Sequence, residues 1–206
     1  MVKSNEARDG GTAARALDAA ERLVQVRGFN AFSYADVSKE LGLTTAALHY
    51  HFAGKAELGE ALIVRYRQRF NEALEAIDQD QSEPLAKLEA YAELYAGVLR
   101  HDRMCLCGML AAEFDTLSVG MQGAVLLFFE ENEAWLAGVL EQGRVTGTLE
   151  FNGSPLDEGR SIMSCLEGAM LVSRSFGEID RFQQVVDHLL TSLRPAANRM
   201  AAESGD

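Results

Sequence analysis

The chain is poor in the residues that interrupt helices, build disulfide scaffolds or span membranes. Its 206 residues include only three prolines and three cysteines. So few prolines leave room for long uninterrupted helices. An odd number of cysteines makes no disulfide framework and reads as free thiols of a cytoplasmic protein. No apolar run approaches the roughly 20 residues of a membrane helix, and the opening MVKSNEARDGG has no apolar signal core. The expectation is a cytoplasmic location with no membrane partner. Strand-like alternation and internal repeats are missing as well. So are the GxSxG elbow, the P-loop, the GxGxxG fingerprint and the HExxH zinc motif. The chain is therefore read as no enzyme, and no catalytic residue, metal or cofactor is assigned.

Positive charge is also scarce, with 19 Lys and Arg against 31 Asp and Glu, a net charge of −12. That balance alone argues against nucleic acid as a partner, but it is unevenly spread. Residues 1–70 hold ten basic and eight acidic side chains, whereas residues 71–206 hold nine and 23. A near-neutral head on an acidic body would meet DNA in one orientation. An acidic body kept only for solubility fits the same numbers.

What is there is helical periodicity, centred on Ser33 to Lys55. Ala35, Val37 and Leu41 form the apolar side of a short helix that Gly42 ends, glycine taking the left-handed conformation cheaply. Thr44 suits the N-cap of a second helix, Thr45 to His51. That helix lacks Glu–Lys pairs and offers Thr45, Ala46, Ala47, His49, Tyr50 and His51. Small residues allow close approach to a groove, and hydroxyl, phenol and imidazole groups reach phosphates or base edges. This is a helix-turn-helix pattern, and an ordinary helical hairpin fits the spacing too. Ser33, at the start of the first helix, offers a hydroxyl and an N–H to a phosphate. Tyr34 and the Lys55 ammonium complete the candidate DNA contacts.

Around this stretch the reading is all-α, with about nine helices. Residues 1–11 read as a disordered arm and Thr12 as the cap of a helix to about Arg27. Lys55 opens a long helix to about Gln79, and Pro84 another to about His101. Further helices are expected over Val119–Gly147, Pro155–Phe176 and Glu178–Arg194, followed by a fraying tail. The division is a DNA-binding head at 1–54 and a helical ligand-binding and dimerisation body at 55–206. Gly168-Ala169 offers a close helix–helix approach.

Residues Ala13 to Leu58 resemble the TetR family of transcriptional regulators. The matching residues are Ala16 to Glu21, Arg27-Gly28-Phe29, Phe32-Ser33, Asp36-Val37, Leu41-Gly42-Leu43-Thr44, Ala47-Leu48, His51-Phe52 and Lys55-x-Glu57-Leu58. The resemblance implies a homodimer paired through its last two helices, a palindromic operator, and a repressor released by a small-molecule effector. One departure stands out. The family usually carries tyrosine where this chain has His49, so that tyrosine's phosphate contact does not carry over directly.

The body's reactive chemistry is concentrated in Met104 to Glu113. Cys105 follows His101-Asp102-Arg103 at an expected helix start, where the dipole and a nearby cation favour thiolate. A partly exposed thiolate there would add to electrophiles or oxidise, with Cys107 as a resolving partner. His101, Cys105 and Cys107 are also three metal-type ligands, without a fourth. Both cysteines as small core hydrophobes is the remaining reading. Cys105-Leu106, Leu110-x-Ala112-Glu113, Leu117-Ser118 and Met121 are similar to a segment of electrophile-responsive TetR repressors. That similarity implies sensing by Cys105. A pocket is expected from Tyr91, Tyr95, Met109, Phe114, Phe128, Trp135 and Met163, with His101 and Glu113 as polar anchors. The rival functions are a helical adaptor without DNA binding and a thiol-dependent enzyme.

Overall fold

The computed structural model describes residues 3–196, with side chains from Gly11 onward. Nine α-helices and one 3-10 turn order these residues. They are α1 (Lys3–Arg27), α2 (Tyr34–Leu41), α3 (Thr45–His51), α4 (Lys55–Asp80) and α5 (Pro84–Leu99). After them come α6 (Leu106–Ala111), the 3-10 turn Phe114–Thr116, α7 (Val119–Thr146), α8 (Pro155–Phe176) and α9 (Ile179–Ser192).

The helix expected to begin at Thr12 begins at Lys3. Gly10 and Gly11 lie inside it. A helix interior bears a glycine at about 1 kcal/mol relative to alanine, and extending a nucleated helix is easier than starting one. Residues 1–2 of the expected arm, and residues 197–206 of the expected fraying tail, lie outside the described residues.

The chain packs as two compact units. The first comprises residues 3–69 and 105–128. Ala16, Ala20 and Val24 of α1 are fully buried, with Val37 of α2, Leu48 of α3, and Leu58 and Ile63 of α4. Leu106, Cys107, Leu110, Met121, Val125 and Phe128 complete this core from the 105–128 segment. The alanines of α1 bring backbones close where larger side chains would hold them apart. Gly28, at φ 91, ends α1, and Gly42, at φ 65, ends α2.

The second unit comprises residues 70–104 and 129–196. Its α8 and α9 form a hairpin turned at Gly177, where φ is 68, and α5 packs against both. Ser154 caps α8 by accepting from the Asp157 N–H at 3.1 Å, and Pro155 opens its first turn. Inside lies Asn132, wholly buried within an apolar stripe. Its Oδ1 accepts the Tyr91 hydroxyl at 3.1 Å, so the polar group is satisfied.

Candidate nucleic-acid interface and sensor segment

The turn between α2 and α3 is built by local hydrogen bonds. Ser33 Oγ accepts from the Asp36 N–H at 3.4 Å, while Asp36 Oδ2 accepts from the Ser33 N–H and hydroxyl, each at 2.7 Å. This reciprocal cap satisfies α2 from within. The Ser33 hydrogen bonds hold the Asp36 carboxyl below the usual carboxylate range, helped by the charges of Arg27 and Lys39. The expected free donors at Ser33 are therefore already engaged, beside a carboxylate that repels phosphate. At the next helix Thr44 Oγ1 accepts from the Ala47 N–H at 3.2 Å. Leu48, fully buried, is the single buried residue of α3 and anchors it to the unit.

Two further expected contacts also turn inward. The Tyr34 hydroxyl donates to the Phe52 carbonyl at 3.0 Å and ties α2 to the end of α3. Burial, and then the charge of Glu57, push its phenol up to about 12. Lys55 Nζ donates to the carbonyls of Phe29 and Phe32 at 2.5 Å each. It also sits 4.5 and 4.4 Å from the centroids of those two rings. Burial lowers the Lys55 pKa, against the opposing pull of Glu113 and Asp36. An ammonium so held fastens the α1–α2 loop, which corrects its assignment as a free phosphate contact. The reason is geometric: two carbonyls and two aromatic faces satisfy it more fully than water does.

What remains outward is the face of α3. Thr44, Thr45, Ala46, His49 and Tyr50 are exposed, and Ala47 and His51 half-buried. Tyr50 is 75% exposed, the highest among the large hydrophobic-bodied side chains described in the head. The His49 ring stands edge-on to Tyr34 with centroids 4.7 Å apart, and its Nδ1 lies 3.2 Å from the Ala53 carbonyl.

The expected sensor residues divide between the two units. In the first, Cys105 is the N-cap residue of α6 without a capping side-chain bond. It is 2% exposed, and Cys107 is fully buried. The Cys105 sulfur accepts from the Tyr66 hydroxyl at 3.7 Å. The partly exposed thiol expected at Cys105 is thus a core thiol, because α6 turns its apolar side inward with the cysteines on it. Met109 is half-buried. Glu113, expected as a pocket anchor, is engaged by the backbone of the α1–α2 loop. Its Oε2 accepts from the Phe29 N–H at 2.6 Å, and both oxygens reach the Asn30 N–H at 3.3 Å. A Cβ at Gly28 would stand 2.9 Å from Glu113 Oε1. Asn30 Nδ2 adds a bond to Thr116 Oγ1 at 2.8 Å.

In the second unit, Tyr91 and Tyr95 are buried and share a hydroxyl–hydroxyl bond of 3.0 Å. Trp135 stacks on Tyr91 with centroids 5.5 Å apart and donates from Nε1 to Asp78 Oδ2 at 2.9 Å. These aromatics fill a core. His101 is exposed in the turn after α5, and its Nδ1 bonds to the Gly97 carbonyl of that helix's last turn at 2.8 Å. Among the described residues no group of three His, Cys, Asp or Glu is arranged to hold a metal ion.

The sequence reading named Glu113 as a pocket anchor and missed its tether to the α1–α2 loop. Its partners lie 83 and 84 residues away, a separation no local pattern reports.

A short capped helix presented outward on a three-helix head, with an all-helical remainder, defines a helix-turn-helix transcriptional regulator. Comparison with known proteins gives the family. Residues 16–62 match bacterial regulatory proteins of the tetR family. A crystal structure of a TetR-family transcriptional regulator from Agrobacterium tumefaciens is 30% identical. It superposes with a TM-score of 0.88 over 91% of this chain and 100% of that one. A TetR regulator from Legionella pneumophila is 31% identical, with a TM-score of 0.80 over 87% and 96% of the two chains. The HTH-type transcriptional repressor NemR of Escherichia coli is 26% identical over 181 residues, 84% of this chain and 90% of its own. The chain belongs to the TetR family and is a transcriptional regulator.

Proposed function

We propose that the chain is a cytoplasmic, dimeric repressor that binds a palindromic operator and is released by a small molecule or electrophile. The observation that carries the reading is the outer face of α3, whose exposed Thr45, Ala46, His49 and Tyr50 are free of acidic neighbours on the same helix. Ala47 and His51 flank that face, and Thr44 sets its register. Residues 1–54 form the reading head and 55–206 the effector and dimerisation body. The similarity to NemR supports repression. No helix among the described residues is long and apolar enough to cross a membrane.

Dimerisation is supported by the outer face of α8. Leu171, Val172 and Phe176 are 60%, 53% and 59% exposed. Gly168 beside them is open, leaving room for close helix approach. A two-fold dimer places two copies of α3 about one DNA turn apart.

Release runs through the 105–117 segment. A group added at Cys105, or a ligand packed beside α6, displaces the Tyr66 hydroxyl and shifts the helix. Glu113, just beyond α6, then loses its hold on the Phe29 and Asn30 N–H groups, which set the α1–α2 loop. An effector that favours the shifted state lowers operator affinity by its own differential affinity for the two states.

The test is fluorescence anisotropy of the full chain on DNA upstream of its own gene, across salt, with and without a quinone. Saturable, salt-sensitive binding that the quinone abolishes, and that Cys105→Ser protects, supports the whole reading. Binding indifferent to the quinone retains the regulator and moves release to a noncovalent ligand. Failure to bind this DNA, and any duplex selected from a random pool, refutes it.

A further inference from the structure

His49 stands in the last turn of α3, and its ring is fixed on one side only. Nδ1 lies 3.2 Å from the Ala53 carbonyl. A carbonyl oxygen only accepts, so Nδ1 carries a proton whatever the charge of the ring. The edge-on contact with Tyr34 keeps the ring in that orientation. Nε2 is consequently the nitrogen left for a ligand, and its character depends on protonation. In the neutral ring it is a lone pair, and in the imidazolium it is a donor bearing positive charge.

A docked recognition helix reads bases mainly from its N-terminal residues, leaving its last turn near the sugar-phosphate backbone. A lone pair set against a phosphate oxygen repels it. An imidazolium N–H at the same place makes a charge-assisted hydrogen bond. We propose that operator binding takes up a proton at His49, whose imidazolium then holds a DNA phosphate, so that affinity rises as pH falls through the imidazole range. The inference rests on α3 being the DNA-contacting helix.

The surrounding charges suit a cation. His49 meets Tyr34 of α2 and the Ala53 carbonyl at the junction from α3 into α4. From α2 come Tyr34, a neutral phenol throughout this range, and Asp36, engaged by Ser33. From the start of α4 come Glu57, whose carboxylate accepts the Ala53 N–H at 2.6 Å, and Lys55, whose ammonium is held by two carbonyls. On α3 itself the neighbours are Tyr50 and His51. The C-terminal end of α3 adds the negative pole of its dipole. Lys39 and Glu40 of α2 complete the charged groups on these segments, and the Lys55 ammonium is directed at Phe29 and Phe32.

One proton taken up per protomer changes affinity by at most about tenfold per pH unit, and two per dimer by about a hundredfold. The experiment measures Kd of the full-length protein on a duplex selected from random-sequence DNA, at fixed ionic strength, from about pH 6 to about pH 8. Wild type is expected to weaken by at least about tenfold over that span. His49→Gln, which cannot titrate, is expected to bind with a flat profile, and His51→Gln to keep the wild-type slope. His49→Tyr, donating from a neutral hydroxyl, is also expected to be flat and decides the matter if His49→Gln fails to bind or fold. A wild-type slope retained in either His49 variant, or a flat wild type, overturns the proposal. Selection that returns no bound duplex refutes the helix-turn-helix reading itself, independently of the proton.

Discussion

Two short helices of the first unit, α3 and α6, are secured in opposite ways. α3 has seven residues, a side-chain cap from Thr44 and one buried anchor, Leu48. α6 has six residues, no side-chain cap, and three buried residues, Leu106, Cys107 and Leu110. The first keeps its outer face clear because a cap and a single apolar contact fix it. The second is held by burial, so a change on its inner side strains the core. Under the proposed function α3 recognises and α6 responds, and the contrast suits both roles: one surface is free to vary, and the other resists change until an effector supplies the energy.

The contrast can be broken most strongly at Leu48. Leu48→Ala leaves α3 without its anchor and should destabilise the protein by about 2–5 kcal/mol, read by denaturant unfolding. Loss below about 1 kcal/mol would show that α3 does not depend on one contact. Glu113→Gln removes the charge from the hydrogen bonds to Phe29 and Asn30. The expected loss is about 1–3 kcal/mol in stability, with weakened operator binding in anisotropy. Thr44→Ala takes away the cap alone and should lose about 1 kcal/mol. Smallest in stability is Tyr50→Ala, expected within about 0.5 kcal/mol of wild type in melting experiments while operator affinity falls.

A pH series sharpens the same picture at the start of α2. The Asp36 carboxyl is held below its ordinary range by Ser33. Its contribution is therefore present above the unfolded-state value and is lost as pH falls through the folded one. Thermal melts through the acid range should show this dependence weakened in Asp36→Asn.

Much of the head was legible because its determinants are local. Gly42 and Thr44 mark an end and a start within three residues of each other, and the spacing of Val37, Leu41 and Leu48 gives the inner side. Pro84 and Pro155 marked helix starts in the body in the same manner. The direction of polar side chains was harder. Lys55 and Tyr34 look like phosphate contacts in sequence, yet their carbonyl partners are defined only once the chain has folded. Cys105 reads as a helix-start thiol, but whether α6 turns it outward depends on packing that no six-residue segment encodes. The family resemblance added the dimer and the operator, which residue spacing alone does not give.

The Glu113 tether bears on how this regulator can be recombined with others. A head excised at 54/55 carries Gly28, Phe29 and Asn30 away from the carboxylate that fits them. Grafted onto a foreign body, it would arrive with two unmatched N–H groups and a glycine whose clearance no longer serves any partner. The transplantable module is a discontinuous one, residues 3–69 together with 105–128. Chimeras that respect that seam should inherit both the DNA preference and the loop setting that expresses it.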